Sequence, residues 1–374
     1  MKPSSMERDP LAILDAYDFD LPETSIAQTA LAQRDAARLL LLDRKTGSLV
    51  EANRDHHVCD LPKWLRPNDL LIVNATRVLS ARLVGHKSTG GSAEALLLGQ
   101  EPAGSAADRD GCFRALLKCT GRVRVGLELV LGRTPTVRAQ VVGLHDRGEV
   151  SLLFEPGSDP YALGEAPLPP YIRRSAGTPG DEDLARYQTI FAREPGAIAA
   201  PTAGLHFTPD LFDSLAAQGV ERAEVVLHVG AGTFRPLDAS ALETGLLHSE
   251  TYELPESTVH AIERARRLGG RVVAVGTTTA RVLESCAAED GSISEQSGET
   301  RLFIRPGGEP FRVVDALITN FHLPRSSLLL LVAAFVGREA LMAAYEHAIQ
   351  DGFRFYSYGD AMLIAPDLGA SRAA

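Results

Sequence analysis

Apolar and polar positions follow two different patterns along the chain. Between residues 70 and 155 the apolar runs are short and of strand length: DLLIVNATRVLSARLVG, EALLLG, FRALLKC, VRVGLELVLG, TVRAQVVGL and EVSLLFEP, separated by Gly-bearing turns. Such a series without helical periodicity predicts a small antiparallel β-barrel. Outside it, compact apolar strands such as EVVLHVG and RVVAVG alternate with segments of helical period. TPDLFDSLAAQG carries helix signals in order: Thr208 as N-cap, Pro209 at the first position, Asp210 in the first turn, Leu211 and Leu215 on one face, Gly219 as the stop. PESTVHAIERARRLGG and SSLLLLVAAFVGREALMAAYEHAIQDG are further helical stretches. Buried strands alternating with helices predict a layered α/β domain, into which the barrel is inserted. The polar, Gly-bearing segments 99–111, 174–183 and 286–299 read as exposed loops.

Composition narrows the class. A chain of 374 residues with 45% hydrophobic and 23% charged content can bury a full core. Its longest apolar run, LLLLVAAFV at 328–336, is well short of the ~20 residues a membrane helix needs. The first residues, MKPSSMERDPLAILDAYDFD, lack an uninterrupted apolar stretch, so no secretory leader and a cytoplasmic location are expected. Cys59, Cys112, Cys119 and Cys286 show no CxxC spacing, which predicts reduced, structural cysteines. The net charge of -10 disfavours non-specific nucleic-acid binding, yet leaves room for local basic surfaces at Arg173–Arg174, at Arg264, Arg266, Arg267 and Arg271, and at Arg122 and Arg124.

Histidines in turn-like surroundings are the first candidates for chemistry. APTAGLHFT holds His206 beside Thr202 and Gly204; LHVGAGTF holds His228 beside Gly230, Gly232 and Thr233; ITNFHLP holds His322. Glycines after an apolar strand allow close backbone approach where an α/β sheet opens its ligand crevice. A histidine so placed is either a general acid or base or a hydrogen-bonded core residue, and spacing alone does not choose. LLHSETYEL adds His248 and Glu250, and SYGDAMLI adds Tyr358 and Asp360. In RVVAVGTTTARVLES a strand ends at Gly276, and Thr277 and Thr278 open a helix whose N-terminus suits an anion or a plain Thr cap. No HExxH metal spacing and no GxSxG nucleophile context occurs.

Longer segments carry a resemblance. APLPPYIRR, RYQTIFA, AIAAPTAGLHFT, LHVGAGTF, HSETYE, VGTTTARVLES, LITNFHLPRSSLLLLVAAFVGRE and FRFYSYGDAMLI, with DAYDFDLPETSIAQ, RDAARLLLLDRKTG, VNATRVLSARLVG and TGG at 89–91, resemble the S-adenosylmethionine:tRNA ribosyltransferase-isomerase family of queuosine biosynthesis from about residue 16 to 365. The resemblance implies a three-layer α/β/α domain (residues 1–65 and 156–374) with an inserted antiparallel β-barrel (66–155). It implies a transferase with S-adenosylmethionine as co-substrate and no bound cofactor or metal. The acceptor would be tRNA carrying 7-aminomethyl-7-deazaguanine, with no membrane partner and a monomeric state expected. Acid and base roles would fall to His206, His228, His248 and His322, with Glu250 and Asp360 orienting them. The helix start at Thr277 and Thr278, with Arg281, would hold the methionine carboxylate. Thr202, Gly204, Gly230, Gly232, Thr233, Gly276 and Tyr358 would line the substrate, and Arg77, Arg173 and Arg174 would meet RNA. Ala75, Ala37 and Ser80 depart from the Asp, Ser and Pro usual in the family. A paralogue acting on another amine and a non-catalytic RNA-binding protein are the alternative readings.

Overall fold

The structure, a computed structural model, describes residues 10–50, 56–101, 107, 109–132, 135–174, 181–230, 232 and 237–369. In chain order its strands are β1 (Leu39–Asp43), β2 (Leu70–Asn74), β3 (Thr76–Val78), β4 (Arg82–Lys87), β5 (Ser92–Gln100), β6 (Cys112–Cys119), β7 (Glu128–Leu131), β8 (Val137–Leu144), β9 (Glu149–Phe154), β10 (Glu194–Ala197), β11 (Glu221–Leu227), β12 (Leu246–Leu254), β13 (Val272–Val275), β14 (Gln296–Leu302), β15 (Ala316–Asn320) and β16 (Ala361–Ala365). The helices are α1 (Asp181–Arg186), α2 (Pro209–Ala217), α3 (Ala239–Thr244), α4 (Glu256–Arg267), α5 (Thr277–Ser285), α6 (Ser327–Val336) and α7 (Arg338–Gln350).

The chain divides into two compact units, one of Met1–Arg77, Thr189–Glu194 and Ala200–Ala374, the other of Val78–Gln188 and Pro195–Ala199. In the first, an eight-stranded sheet runs β1-β16-β15-β13-β2-β11-β12-β14. Its centre, β15, β13, β2 and β11, is parallel, while β12 and β14 add antiparallel pairs at one edge. Alternate positions explain the layers. Leu39, Leu41, Leu71, Val73, Val273 and Ile318 pack with Phe207, Leu211 and Leu215 on one face. Leu40, Leu42, Leu70, Ile72, Val272 and Ala274, equally buried, point to the other, where α4 and α5 lie. Asp69 and Arg271, both buried, pair at 2.6 Å where β2 and β13 begin. The expected helix cap is present, with Thr208 Oγ1 accepting from Leu211 N at 3.2 Å and donating to Asp35 at 2.8 Å.

The second unit is a closed antiparallel barrel, β4-β5-β6-β9-β8-β7, filled by Leu83, Ala95, Leu97, Ala115, Leu131, Val141 and Leu152. Its limits differ from the expected 66–155. Leu70–Asn74 is a central strand of the large sheet, buried at every position because both faces are covered, and the barrel unit continues to Gln188. Two further differences are local. Residues 296–299, the end of a segment expected as a loop, begin the edge strand β14 (Gln296–Leu302), whose polar, exposed surface suits an edge. The long helical stretch at 326–352 is two helices, bent by 115° at Gly337, where φ is +93°. Among the described residues no single helix is long and apolar enough to cross a membrane.

Candidate active site

The four central parallel strands β15, β13, β2 and β11 end at Asn320, Val275, Asn74 and Leu227, and this carboxyl edge is where such sheets bind ligands. Asn74 organises it. Its amide nitrogen donates to the Leu227 carbonyl (3.0 Å) and to Thr278 Oγ1 (3.3 Å), and its Oδ1 accepts from the backbone N–H of Leu227 (3.0 Å) and Thr76 (3.1 Å). Thr76 Oγ1 then lies 2.8 Å from His228 Nδ1. His228, half-buried, leaves the strand after its N–H has bonded to Thr251 O at 2.9 Å; burial lowers its pKa, opposed by the charges of Glu194 and Glu253.

Gly276, at φ +89°, turns β13 into α5, with its N–H on Ile318 O at 2.8 Å. A Cβ on Gly276 would lie 3.6 Å from Ala203, so the short helix Thr202–His206 sits beside the start of α5. Within it Gly204 admits the rings and methyls around it: a Cβ there would be 2.7 Å from Phe191 and 2.9 Å from Thr189. His206 Nε2 faces Asn320 Nδ2 at 3.1 Å, and the donating amide makes that nitrogen the acceptor. Burial pushes the His206 pKa down to about 4, against a backbone hydrogen bond with Arg34. His322 Nε2 lies 2.8 Å from Thr319 Oγ1, and burial pushes its pKa down to about 3. Both rings are therefore neutral, weakly basic and held in the core.

His248 and Glu250 form a second cluster with Arg281. Glu250 Oε1 accepts from Gly230 N at 3.0 Å and lies 3.2 Å from His248 Nε2, while Oε2 pairs with Arg281 Nη1. Burial alone would raise the Glu250 carboxyl, but His248 and Arg281 hold it at about 2. Gly232 packs against the His248 ring, which a Cβ would approach to 2.4 Å. Thr233 lies outside the described residues.

Other candidates are placed differently. Asp360 accepts the backbone N–H of Arg38 (2.9 Å) and Arg354 (2.7 Å), pinning the turn before β16 to the start of β1, and burial raises its pKa against those bonds. It orients backbone, not a histidine ring. Tyr358 is buried in the same turn. Asn74, Thr76 and Asn320 were not singled out by sequence, though LLIVN and ALITN both show an apolar strand closing on Asn. Among the described residues no group of three or more His, Cys, Asp or Glu side chains is arranged to hold a metal ion.

A sequence model of the queuosine biosynthesis protein family matches residues 14–364. The chain belongs to that family. The chain is 48% identical over 369 residues to the S-adenosylmethionine:tRNA ribosyltransferase-isomerase of Gloeobacter violaceus, covering 97% of this chain and 98% of the relative. It is 49% identical over 357 residues to the enzyme of that name from Acidithiobacillus ferrooxidans, covering 94% and 98%. The crystal structure of S-adenosylmethionine tRNA ribosyltransferase from Thermotoga maritima is 36% identical, with a TM-score of 0.52 over 93% of this chain and 99% of that one.

The expected basic surfaces are partly neutralised. Arg174 is held by Asp183 through Nε (2.8 Å) and Nη2 (2.5 Å), whereas Arg173 is exposed. Arg77 is exposed and donates to Ala192 O at 2.6 Å. Arg271 is buried on Asp69, Arg264 pairs with Glu221, and Arg266 donates to the carbonyls of Gly291 and Arg312, while Arg267 is exposed. Ala75 and Ala37 are fully enclosed.

Proposed function

We propose that this chain transfers and isomerises the ribosyl part of S-adenosylmethionine onto 7-aminomethyl-7-deazaguanine at the wobble position of tRNA, giving epoxyqueuosine-tRNA and releasing adenine and methionine. One observation carries the reading. Segments 74–76, 202–206, 228–230 and 276–281 meet at one sheet edge, in a chain alike over nearly its whole length to proteins named for that reaction. The same likeness leaves the paralogue and the non-catalytic reading unfavoured.

The co-substrate's positive sulfonium acidifies the adjacent C5′ protons, so one general base suffices to start the transfer. Departing adenine needs a proton donor, and the attacking amine must be neutral. Of the four histidines, His228 and His248 suit these proton transfers: neither is fully enclosed, and Glu250 orients His248. His206 and His322, too weakly basic as they stand, fix the walls. Thr202, Gly204, Gly230 and Gly276 let backbone approach the substrate. Arg77 and Arg173 are assigned to tRNA phosphates, with the modified base displaced into the site. The protein works as a monomer in the cytoplasm.

Adenine release from S-adenosylmethionine, followed by liquid chromatography with and without tRNA carrying the aminomethyl base, tests the reading. Release that depends on that tRNA is expected. Release with a free amine base alone, or none from folded protein, would overturn it.

A further inference from the structure

The rings of His228 and His248 are held by partners of opposite hydrogen-bonding character. Thr76 Oγ1 lies 2.8 Å from His228 Nδ1. Thr76 is fully buried, and this is the one hydrogen bond of its hydroxyl among the described residues. A buried hydroxyl gives its proton to the acceptor within reach, and the acceptor here is Nδ1. A neutral imidazole carries a single N–H, so the ring proton is on Nε2, which has no partner among the described residues. Burial disfavours the imidazolium, opposed by the charges of Glu194 and Glu253. Asn74 fixes the chain on both sides of this bond, because its Oδ1 accepts the N–H of Thr76 at 3.1 Å and that of Leu227, the residue before His228, at 3.0 Å. At His248 the partner accepts only. Glu250 Oε1 lies 3.2 Å from Nε2, so the carboxylate keeps the ring proton on that nitrogen and leaves the lone pair on Nδ1. A Cβ on Gly232 would lie 2.4 Å from Nδ1, so glycine there leaves that nitrogen uncovered.

A hydroxyl donor on one ring and a carboxylate acceptor on the other divide the work between two histidines. We propose that Thr76 is a positioning residue: its hydroxyl fixes His228 as a neutral N–H donor at Nε2, and the task of base falls to His248. This division rests on the function proposed above. The Nε2–H of His228 then donates a hydrogen bond to the nitrogen on which departing adenine gathers negative charge, and the ring stays neutral throughout. A neutral N–H aimed where charge develops lowers the barrier without itself losing a proton. Threonine suits this part and a carboxylate does not, because a carboxylate on Nδ1 would draw the ring proton there and make Nε2 an acceptor. The two enclosed histidines are not placed to share it: His206 Nε2 accepts from Asn320, and His322 Nε2 is engaged by Thr319 Oγ1.

Two measurements on the full chain test this, one of them independent of turnover. Nitrogen NMR of protein labelled with 15N-histidine, with the His228 signals identified by their loss in His228→Gln, should show Nε2 protonated and Nδ1 bare in wild type. Thr76→Val should shift the Nδ1 signal as its hydrogen bond disappears, and Thr76→Ser should restore it. Adenine release in the presence of the modified tRNA gives the second readout. Thr76→Val should lower kcat by roughly 10- to 100-fold, the cost of a misplaced group, with KM for S-adenosylmethionine changed less than about threefold. Thr76→Ser should recover most of the rate. His228→Ala should cost roughly 100-fold, as loss of one aimed donor does, and Thr76→Val should then add nothing. His228→Gln, which still presents an amide N–H, should be faster than His228→Ala, whereas His248→Gln should lose at least about 100-fold. A wild-type His228 protonated on Nδ1 would overturn the inference, as would a folded Thr76→Val that turns over normally or loses as much again in the His228→Ala background. No adenine release by wild type would overturn the proposed function, and the NMR signals would still decide which nitrogen Thr76 protects.

Discussion

The amide nitrogen of Asn74 lies 3.3 Å from Thr278 Oγ1, so the end of the central strand β2 is tied directly to the first turn of α5. The same side chain brackets Leu227 through both its N–H and its carbonyl. Asn74→Asp keeps the acceptor but sets a charge against a carbonyl in a fully buried position. Unfolding in urea should show a loss of about 1–3 kcal/mol, the cost of leaving buried polar groups unsatisfied. Thr278→Val, which removes one long bond, should cost less than about 1 kcal/mol. An Asn74→Asp protein as stable as wild type would refute the bracket.

Acid should weaken the fold through two histidines. His206 and His322 are neutral in the folded state, with pKa values pushed down to about 4 and about 3, whereas an unfolded histidine titrates near 6.5. The unfolded chain therefore takes up protons first. Stability is undiminished above about pH 6.5 and falls as the pH drops below it, by about 2 kcal/mol for each histidine at pH 5. His322→Gln should remove one proton from the slope of stability against pH between 6 and 5. Comparing the two slopes separates the histidine from carboxylates that titrate in the same window.

Local signals were legible in the sequence; partners across the chain were not. Thr208, Pro209 and Gly219 mark α2 because capping is a matter of neighbouring residues. Leu70–Asn74 was expected in the barrel because it adjoins barrel strands in the chain. Its unbroken apolar run, set against the alternating burial of Ser92–Gln100, is the signature of a strand covered on both faces. Residues 296–299, the first part of β14, read as loop because edge strands are polar by design. The histidine segments stood out through their small neighbours. That His206 meets Asn320, and His228 meets Thr76, depends on strand order, which no local pattern encodes. Arg271 was expected in a basic surface run, and only the pairing of β2 with β13 reveals Asp69 beneath it.

Gly276 is the one residue that lets β13 turn into α5 at this edge. Its φ of +89° with ψ of 154° is a region that only glycine adopts without strain. Space is not the obstacle, since an added Cβ would meet its neighbours at 3.6 Å. Gly276→Ala should cost about 1–3 kcal/mol in urea unfolding through backbone strain alone. Relief of the strain would shift Thr278 away from Asn74, so adenine release should fall even at temperatures where the variant is fully folded. Normal turnover would show that the helix start does not contribute to the site.

Glu250 and Arg281 test whether the second cluster is held by charge. The carboxyl, held at about 2, stays ionised in the folded state well below the ordinary glutamate range, and its contribution is lost as the pH falls from that range toward 2. Glu250→Gln still accepts from Gly230 N but leaves a buried guanidinium without a counter-charge. Removing one partner of such a pair costs about 3–5 kcal/mol. Adding Arg281→Met removes the stranded cation. The double variant should therefore recover part of the loss, with a coupling above about 1 kcal/mol in a double-mutant cycle. Additive effects would mean that the two side chains act separately. Glu250 would then hold Gly230 and His248 on its own, with no contribution from the arginine.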